Sequence, residues 1–281
     1  NWTQLGGDID GEAFEDYFGE AVSMSDNGNV IAIGAIGDDA NGTASGHVRI
    51  YSWNGTSWVQ MGVDIDGEAA GDQCGFSVSL NSAGDRVAIG AQQNDGNGNN
   101  TGHVRIYNYN GTTWMQVGND IDGEAANDNS GIRVSLSSDG NTVAIGALYN
   151  DGNGSNSGHV RIYSFNGTSW NQLGQDIDGE AALDRSGKSV SLSSDGNTVA
   201  IVAHLNDGNG TNSGHVRIYN YNGGSWNQLG NDIDGEAALD YSGQSVSISS
   251  GGNTVAIGAY QNDGNGNMSG HVRVYGINTP C

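Results

Sequence analysis

Apolar and polar residues alternate with a period of two in short segments throughout the chain. Residues 133–136 alternate in this way, and residues 142–146 and 159–163 are two further segments rich in Val and Ile. Such segments are typical of β-strands. Residues 138–141 and 166–168 contain Asp-Gly and Asn-Gly, which favour tight hairpin turns. The pattern predicts short antiparallel strands, and the abundance of Gly, Asn, Ser, Thr and Asp disfavours helix.

The same segments recur every 56 residues. Five copies cover 280 of the 281 residues without a linker, and we expect one domain over residues 1–281. Each copy is predicted to contain four strands. In the copy described above, the fourth strand covers residues 170–177. Four short antiparallel strands at even spacing form the blade of a β-propeller, so the prediction is an all-β, five-bladed propeller. The repeats start at Trp2, Trp58, Trp114, Trp170 and Trp226.

The two ends of the chain carry complementary parts of one repeat. Residues 2–5 have the fourth-strand pattern, and residues 271–275 have the third-strand pattern. We therefore expect the N-terminal strand to complete the last blade and close the ring, which would remove two open sheet edges. The alternative is an open array that stacks on other chains. The start at Asn1-Trp2, without a leader, suggests a mature or excised product.

The repeats resemble FG-GAP repeats, the blade type of integrin α-chains and of many secreted and surface proteins. Phe18-Gly19 stands at the FG position, Ile33-Gly34-Ala35 at the GAP position, and residues 46–51 form the closing strand. The other repeats depart from FG, no GAP proline is present, and Val202 replaces a glycine. In calcium-binding members the ion lies between the first two strands. That connection is too short here, as at residues 194–197, so this calcium site is not expected.

Composition limits the range of partners. Nine Lys and Arg face 32 Asp and Glu, and a net charge of −23 argues against binding to nucleic acid or anionic membrane. No apolar stretch has the length of a membrane span. Cys74 and Cys281 are too few for a disulfide scaffold and are expected to be free thiols or links between molecules. The acidity, the single lysine and the resemblance favour a secreted or cell-surface location.

Two acidic loops recur in the repeats and have oxygen-bearing side chains at alternate positions. Calcium prefers such ligands, but Asp, Asn and Gly are also ordinary turn residues. Each repeat also offers one arginine for a carboxylate clamp, so both interpretations remain open. No cofactor is expected to be required. The calcium candidates are Asp8, Asp10, Glu12, Asp64, Asp66, Glu68, Asp95 and Asn97.

The repeated histidines, such as His47, alternate with Val and Ile on the third strand. They predict either a repeated structural hydrogen bond or a symmetric metal ring. Catalysis needs an asymmetric cluster, and the residues that break the repeat show no nucleophile–histidine–acid spacing or phosphate loop. From these observations we expect no enzymatic activity.

Variation among the repeats is concentrated in two loops, which we call the varied loops. They precede the first strand and follow the second strand of each repeat. Both loops should lie on one face, where loops on a rigid scaffold commonly bind partners. Unselected drift of exposed positions is the alternative. The candidate binding residues are Tyr17, Gln73, Asn129, Arg185, Tyr241, Gln92, Tyr149, His204 and Tyr260.

Three functions are consistent with these features. The first is an extracellular adhesion or recognition module that binds a protein or glycan. The second is a self-assembling subunit of a filament, sheath or surface layer, and the third is a lectin with aromatic sugar platforms. Asn-x-Ser/Thr sequences also mark candidate glycosylation positions in a secreted protein. These positions are Asn41, Asn54, Asn110, Asn153, Asn166 and Asn209.

Overall fold

The structure is a computed structural model that describes residues 1–277. These residues form strands, turns and loops, and none of them lies in an α-helix. Accordingly, the described part of the chain offers no helix with the length and apolar character needed to cross a membrane. The strands assemble into five antiparallel sheets, one for each repeat. This confirms the predicted all-β fold of blade-like repeats, as in a five-bladed propeller.

The chain divides into two compact units, of which the first comprises residues 1–140 and 167–170. Its first sheet has the order β1-β2-β3-β4 with β5 also on β3, and its second has the order β6-β7-β8-β10 with β9 also on β8. The strands of these sheets, followed by β11, are β1 (Phe18–Met24), β2 (Val30–Ala35), β3 (His47–Trp53), β4 (Trp58–Gln60), β5 (Ile65–Asp66), β6 (Cys74–Leu80), β7 (Arg86–Ala91), β8 (His103–Tyr109), β9 (Trp114–Gln116), β10 (Ile121–Asp122) and β11 (Arg133–Leu136).

The second unit comprises residues 141–166 and 171–281, so the third repeat is divided between the units. In the fourth repeat the order is β16-β17-β18-β19 with β20 also on β18, and the last sheet is β21-β22-β23. The remaining strands of the chain are β12 (Thr142–Ala147), β13 (His159–Phe165), β14 (Trp170–Gln172), β15 (Ile177–Asp178), β16 (Ser186–Leu192), β17 (Thr198–Ala203), β18 (His215–Tyr221), β19 (Trp226–Gln228), β20 (Ile233–Asp234), β21 (Ser242–Ile248), β22 (Thr254–Ala259) and β23 (His271–Gly276).

The fourth strand predicted over residues 170–177 is interrupted. Its two ends are the short strands β14 and β15, and β15 pairs with the beginning of β13. Gly174, with φ of +78°, lies in the interruption. This left-handed conformation breaks the extended backbone, so a continuous strand does not form.

The prediction that residues 2–5 form a strand completing the last blade is wrong. No residue before Phe18 lies in a strand, and the last sheet has three strands, β21 to β23. In the first sheet Trp58 of β4 pairs with Trp53 of β3 across an Asn-Gly turn. Residues 2–5 are exposed and pair with no strand among residues 1–277, so they lack the backbone partner that β4 has in β3.

Strands β2 and β3 and their equivalents form the centre of the core. Val48 and Ile50 are buried on one face of β3, while His47 and Arg49 are buried on the other. A strand buried on both faces must satisfy its polar side chains internally. The third strand of each complete repeat therefore carries apolar packing on one face and an ionic network on the other.

Consecutive repeats are joined by polar contacts as well as by apolar packing. The indole N–H of Trp114 donates to the carbonyl oxygen of Met61 at 2.7 Å, and Trp226 donates to Leu173 at 2.6 Å. Both bonds connect residues 53 positions apart. The repeated tryptophan is thus a structural link to the preceding repeat.

Candidate functional site

Strand pairing brings the varied loops together at one end of a sheet. In the second repeat Cys74 is opposite Ala91, so Gln73 lies beside Gln92, whose Nε2 donates to Gln73 Oε1 at 3.0 Å. In the last repeat the corresponding register places the rings of Tyr241 and Tyr260 with centroids 5.8 Å apart. Equivalent positions of different repeats thus form side-chain pairs of different chemistry.

The first member of each pair has a left-handed backbone. The φ angle is close to +50° at Tyr17, Gln73, Asn129, Arg185 and Tyr241. Among these types only Asn adopts this conformation readily, and a residue held in a sparsely populated region costs about 1–3 kcal/mol. Such strain is maintained by surrounding structure and is concentrated at functional positions.

A hydrogen bond between an Asn and an Asp beneath the pair joins the two loops in the second, fourth and fifth repeats. Asn206 Nδ2 donates to Asp184 Oδ2 at 2.9 Å, and Asp184 also accepts from the backbone N–H of Ala181. Asn94 and Asp72 make the same bond in the second repeat. The sequence analysis did not recognise these buried residues. The Asp precedes the first strand of its repeat and the Asn follows the second strand, and both types are also ordinary turn residues. Their invariant spacing of 22 residues was the available signal.

The varied loops of the fourth repeat carry a concentration of positive charge. Ser186 is paired with Ala203, so Arg185 and His204 are neighbours at the same end of the sheet. Lys188, the only lysine of the chain, lies near the beginning of β16, shortly after Arg185. The guanidinium of Arg185 also lies 5.1 Å from the ring centroid of Tyr149. Burial, together with Lys188 and Arg185, lowers the pKa of His204 to about 4.

The remaining predicted binding residues differ in accessibility. Tyr17 and Tyr260 are exposed, whereas Gln92 is buried and Asn129 is half-buried. The structure therefore supports paired positions within repeats.

The acidic loops form the arginine clamp that the sequence offered as an alternative to calcium. Arg105 Nη1 lies 3.3 Å from Glu68 Oε1, and Arg105 Nη2 donates to the carbonyl oxygen of Asp66 at 2.9 Å. Arg49 lies 3.2 Å from Glu12 and reaches the carbonyl oxygen of Asp10. The clamp recurs in the fourth repeat between Arg217 and Glu180 at 3.4 Å.

Four of the other calcium candidates form hydrogen bonds with protein groups. Asp8 accepts from Gln4, and Asp64 accepts from Gln60, in each case four residues away. Asp95 accepts from the backbone N–H of Asn100 at 2.7 Å, and Asn97 donates to the carbonyl oxygen of Gly123. Calcium binding at these loops stays a prediction.

The third-strand histidines lie between acidic residues of two successive loops. His103 Nδ1 is 3.9 Å from Glu68 Oε2 and 3.8 Å from Asp120 Oδ2. Burial and the nearby Arg105 lower the pKa of His103 to about 4, although Asp120 opposes this shift. The same arrangement recurs at His215, between Glu180 and Asp232.

The candidate glycosylation positions fall into two groups. Asn54 and Asn110 are exposed and cap hairpin turns through their Oδ1 atoms. By contrast, the Nδ2 atoms of Asn41, Asn153 and Asn209 donate to backbone carbonyls about 26 residues away. A glycan on these nitrogens would compete with the internal bonds. Asn166 lies in the turn after β13.

Cys74 is a free, buried cysteine in the described part of the chain. Burial raises the pKa of its thiol to about 11, although Arg105 opposes the shift. The pairing prediction for Cys281 falls outside the described residues.

Comparison with protein families and solved structures identifies the repeat type. The FG-GAP repeat model matches residues 9–51, 121–163 and 233–275. None of the curated proteins compared with the sequence matches it. The fold resembles a protein assigned as a 6-phosphogluconolactonase from Bacteroides uniformis, with a TM-score of 0.62 and 12% identity over 93% of this chain and 68% of that chain.

Two further solved structures have the same type of fold. The periplasmic gluconolactonase PpgL of Pseudomonas aeruginosa has a TM-score of 0.56 and 14% identity, over 84% of this chain and 64% of that chain. The hydrazine synthase of Kuenenia stuttgartiensis has a TM-score of 0.53 and 13% identity, over 95% of this chain and 65% of that chain. The chain therefore spans about two thirds of the length of these proteins.

These similarities correct the expectation that the chain has no enzymatic activity. Two of the similar structures bear the names of lactone-hydrolysing enzymes, so this fold supports catalysis. The expectation rested on the equality of the repeats, and one fold can carry many different functions. The similar structures are only 12% to 14% identical to this chain, so the similarity establishes the fold alone. The chain thus contains three segments that match the FG-GAP repeat.

Proposed function

We propose that the protein is an extracellular recognition module whose varied loops bind a partner molecule. The observation that carries this proposal is the Asp–Asn bond that recurs beneath varied side chains in the second, fourth and fifth repeats, as at Asp184 and Asn206. The Asp–Asn bond holds the neighbouring left-handed residue in place, and the type of that residue differs between repeats. Rigid scaffolds that present varied loops are suited to recognition.

The fourth repeat is the strongest candidate for the contact, and we infer that it binds an acidic glycan. Five of the nine Lys and Arg residues are the repeated arginines of the third strands. Arg185 and Lys188 are outside this set and lie together with His204. Cations attract sulfate or carboxylate groups, and the neighbouring Tyr149 offers an aromatic surface for a sugar ring.

The location outside the cell rests on separate support. The net charge of −23 and the exposed Asn-x-Ser/Thr sequences at Asn54 and Asn110 fit a secreted chain. FG-GAP repeats fit as well.

Binding to a heparin-derived sulfated hexasaccharide tests the proposal, with neutral dextran as the blank. The variant R185N/K188I/H204L gives the fourth repeat the residues Asn129, Ile132 and Leu148 of the third repeat. We expect saturable binding by the wild type and at least a tenfold loss in this variant. The control R86T removes a positive charge elsewhere and carries the residue of the third to fifth repeats. Equal binding by all three proteins would overturn the proposal.

Self-assembly is a second candidate because two sheets carry uncovered apolar faces. Val22 and Met24 of β1 are exposed, whereas the equivalent Val78 and Leu80 of β6 are buried. Val272 and Val274 of β23 are also exposed, while their equivalents in β3, β8, β13 and β18 are buried. Light scattering after size exclusion tests this function. A mass that stays near 29.0 kDa at high concentration would exclude it.

A lectin that uses the repeated tryptophans as sugar platforms has less support. The indole N–H groups of Trp58, Trp114 and Trp226 donate to carbonyl oxygens of the preceding repeat. These rings are also stacked on the aromatic residue across their hairpin, as Tyr221 is on Trp226.

A further inference from the structure

The cluster of Glu180, His215 and Asp232 has an arrangement that the arginine clamp does not explain. His215 is 1% exposed, and its Nδ1 has no hydrogen-bond partner among the described residues. This atom points between two carboxylates, at 3.8 Å from Glu180 Oε2 and 3.8 Å from Asp232 Oδ2. These distances are too long for hydrogen bonds, and a buried polar atom without a partner is costly.

The second oxygen of each carboxylate is occupied by a protein group. Glu180 Oε1 faces Arg217 Nη1 at 3.4 Å, and Asp232 Oδ1 accepts from Gln228 Nε2 at 2.6 Å. Each carboxylate is therefore oriented by one oxygen, while the other oxygen is directed at the imidazole. Outer partners of this kind commonly orient the ligands of a metal ion.

We propose that Glu180, His215 and Asp232 form a binding site for a divalent transition-metal ion. The three ligand atoms lie within 4.8 Å of one another. Metal–ligand bonds of about 2.0–2.2 Å place tetrahedral ligands roughly 3.4 Å apart, so each of the two nitrogen–oxygen distances must shorten by about 0.4 Å to bind the ion. Water supplies the remaining coordination position.

The donor set selects the class of ion. One imidazole nitrogen and two carboxylate oxygens suit Zn²⁺, Co²⁺ or Mn²⁺, whereas Ca²⁺ takes six to eight oxygen ligands. Arg217 offsets one of the two carboxylate charges, and a dication is still attracted. A surface cavity of about 440 Å³ lined by Gln228, Asp232 and Asp234 gives the ion a path to the site.

The second repeat carries the same cluster. Glu68, His103 and Asp120 have the same spacing in sequence, and a similar cavity of about 460 Å³ lies beside Asp120. The first repeat differs because His47 Nδ1 is 3.2 Å from Asp38 Oδ2. In the last repeat His271 Nδ1 lies 3.6 Å from Glu236 Oε2, and no second acid completes a three-ligand cluster with this pair among the described residues.

Titration of chelator-treated protein with Co²⁺ and Zn²⁺ tests the proposal, with Co²⁺ absorption in the visible region and calorimetry as readouts. We expect saturable binding and visible bands of nitrogen- and oxygen-bound Co²⁺. H215Q and D232N should each bind one equivalent fewer than the wild type. H271Q is the matched control, and its stoichiometry should be unchanged.

D232N keeps the test decisive if H215Q does not fold, because Asp232 is partly exposed. Circular dichroism establishes the fold of each variant. The proposal is overturned if the wild type binds neither ion, if it binds Ca²⁺ alone, or if folded D232N retains the wild-type stoichiometry.

Discussion

The guanidinium of Arg185 lies 5.1 Å from the ring centroid of Tyr149, although the two residues belong to successive repeats. Arg185 is held there on a left-handed backbone with φ of +56°. A cation over an aromatic ring contributes about 0.5–2 kcal/mol, depending on exposure. The varied loops of one repeat therefore complete those of the next, and a partner can contact two repeats at once.

The bond between Asn206 and Asp184 should determine both stability and recognition. N206A leaves the buried Asp184 carboxylate with one fewer donor, and we expect a loss of about 1–3 kcal/mol in the free energy of unfolding. Urea denaturation measures this loss. The control N227A removes an exposed amide that donates to the nearby Ser225, and it should change stability by less than about 0.5 kcal/mol. Equal effects would contradict the anchoring role.

Acid should destabilise the protein through His204. Its pKa is about 4 in the folded protein, below the ordinary value of 6.5, so the unfolded chain binds the proton more tightly. Stability is therefore present above pH 6.5 and is lost as the pH falls towards 4. H204L replaces the histidine by leucine, the equivalent residue of the third repeat. Between pH 7.5 and pH 5, the free energy of unfolding of H204L should therefore fall by about 2 kcal/mol less than that of the wild type. Denaturation of both proteins at pH 5 and pH 7.5 measures the difference, and parallel pH profiles would refute the assignment.

Cys74 should be almost inert in the folded protein. A thiol with a pKa of about 11 forms about 100-fold less thiolate at pH 8 than one with a pKa near 9. In the C281S variant, we expect slow reaction with Ellman's reagent under native conditions and rapid reaction in denaturant. Rapid native labelling would show that this core region opens readily.

Close packing between repeats predicts different effects for two equivalent glycines. A Cβ on Gly90 would collide with the carbonyl oxygen of Gly131, whereas a Cβ on Gly258 meets only Ser245 Oγ, at 2.8 Å. We expect G90A to lower stability by about 1–3 kcal/mol and G258A to have a smaller effect. Thermal unfolding compares the two variants. Similar Tm values would show that the repeats are not packed as described.

The repeat and the two-residue periodicity were sufficient to predict the strands, because both depend on local sequence. The break at Gly174 and the unpaired Trp2 were not predictable, since each depends on which backbone is available as a partner. The Asp184–Asn206 bond was missed because both residues also suit simple turns. The carboxylates around His215 were missed because Glu180 and Asp232 come from two successive loops, 35 residues before and 17 residues after it.

Lys188 gives the most direct test of recognition by the varied loops, because it is the only lysine in the chain. Reductive ¹³C-methylation labels its side chain and the N-terminal amine and preserves both charges. Titration with the sulfated hexasaccharide should shift the Lys188 signal saturably in the NMR spectrum and leave the N-terminal signal unchanged. A Lys188 signal that does not respond while the oligosaccharide binds elsewhere, or no binding at all, would contradict the proposed role of the fourth repeat.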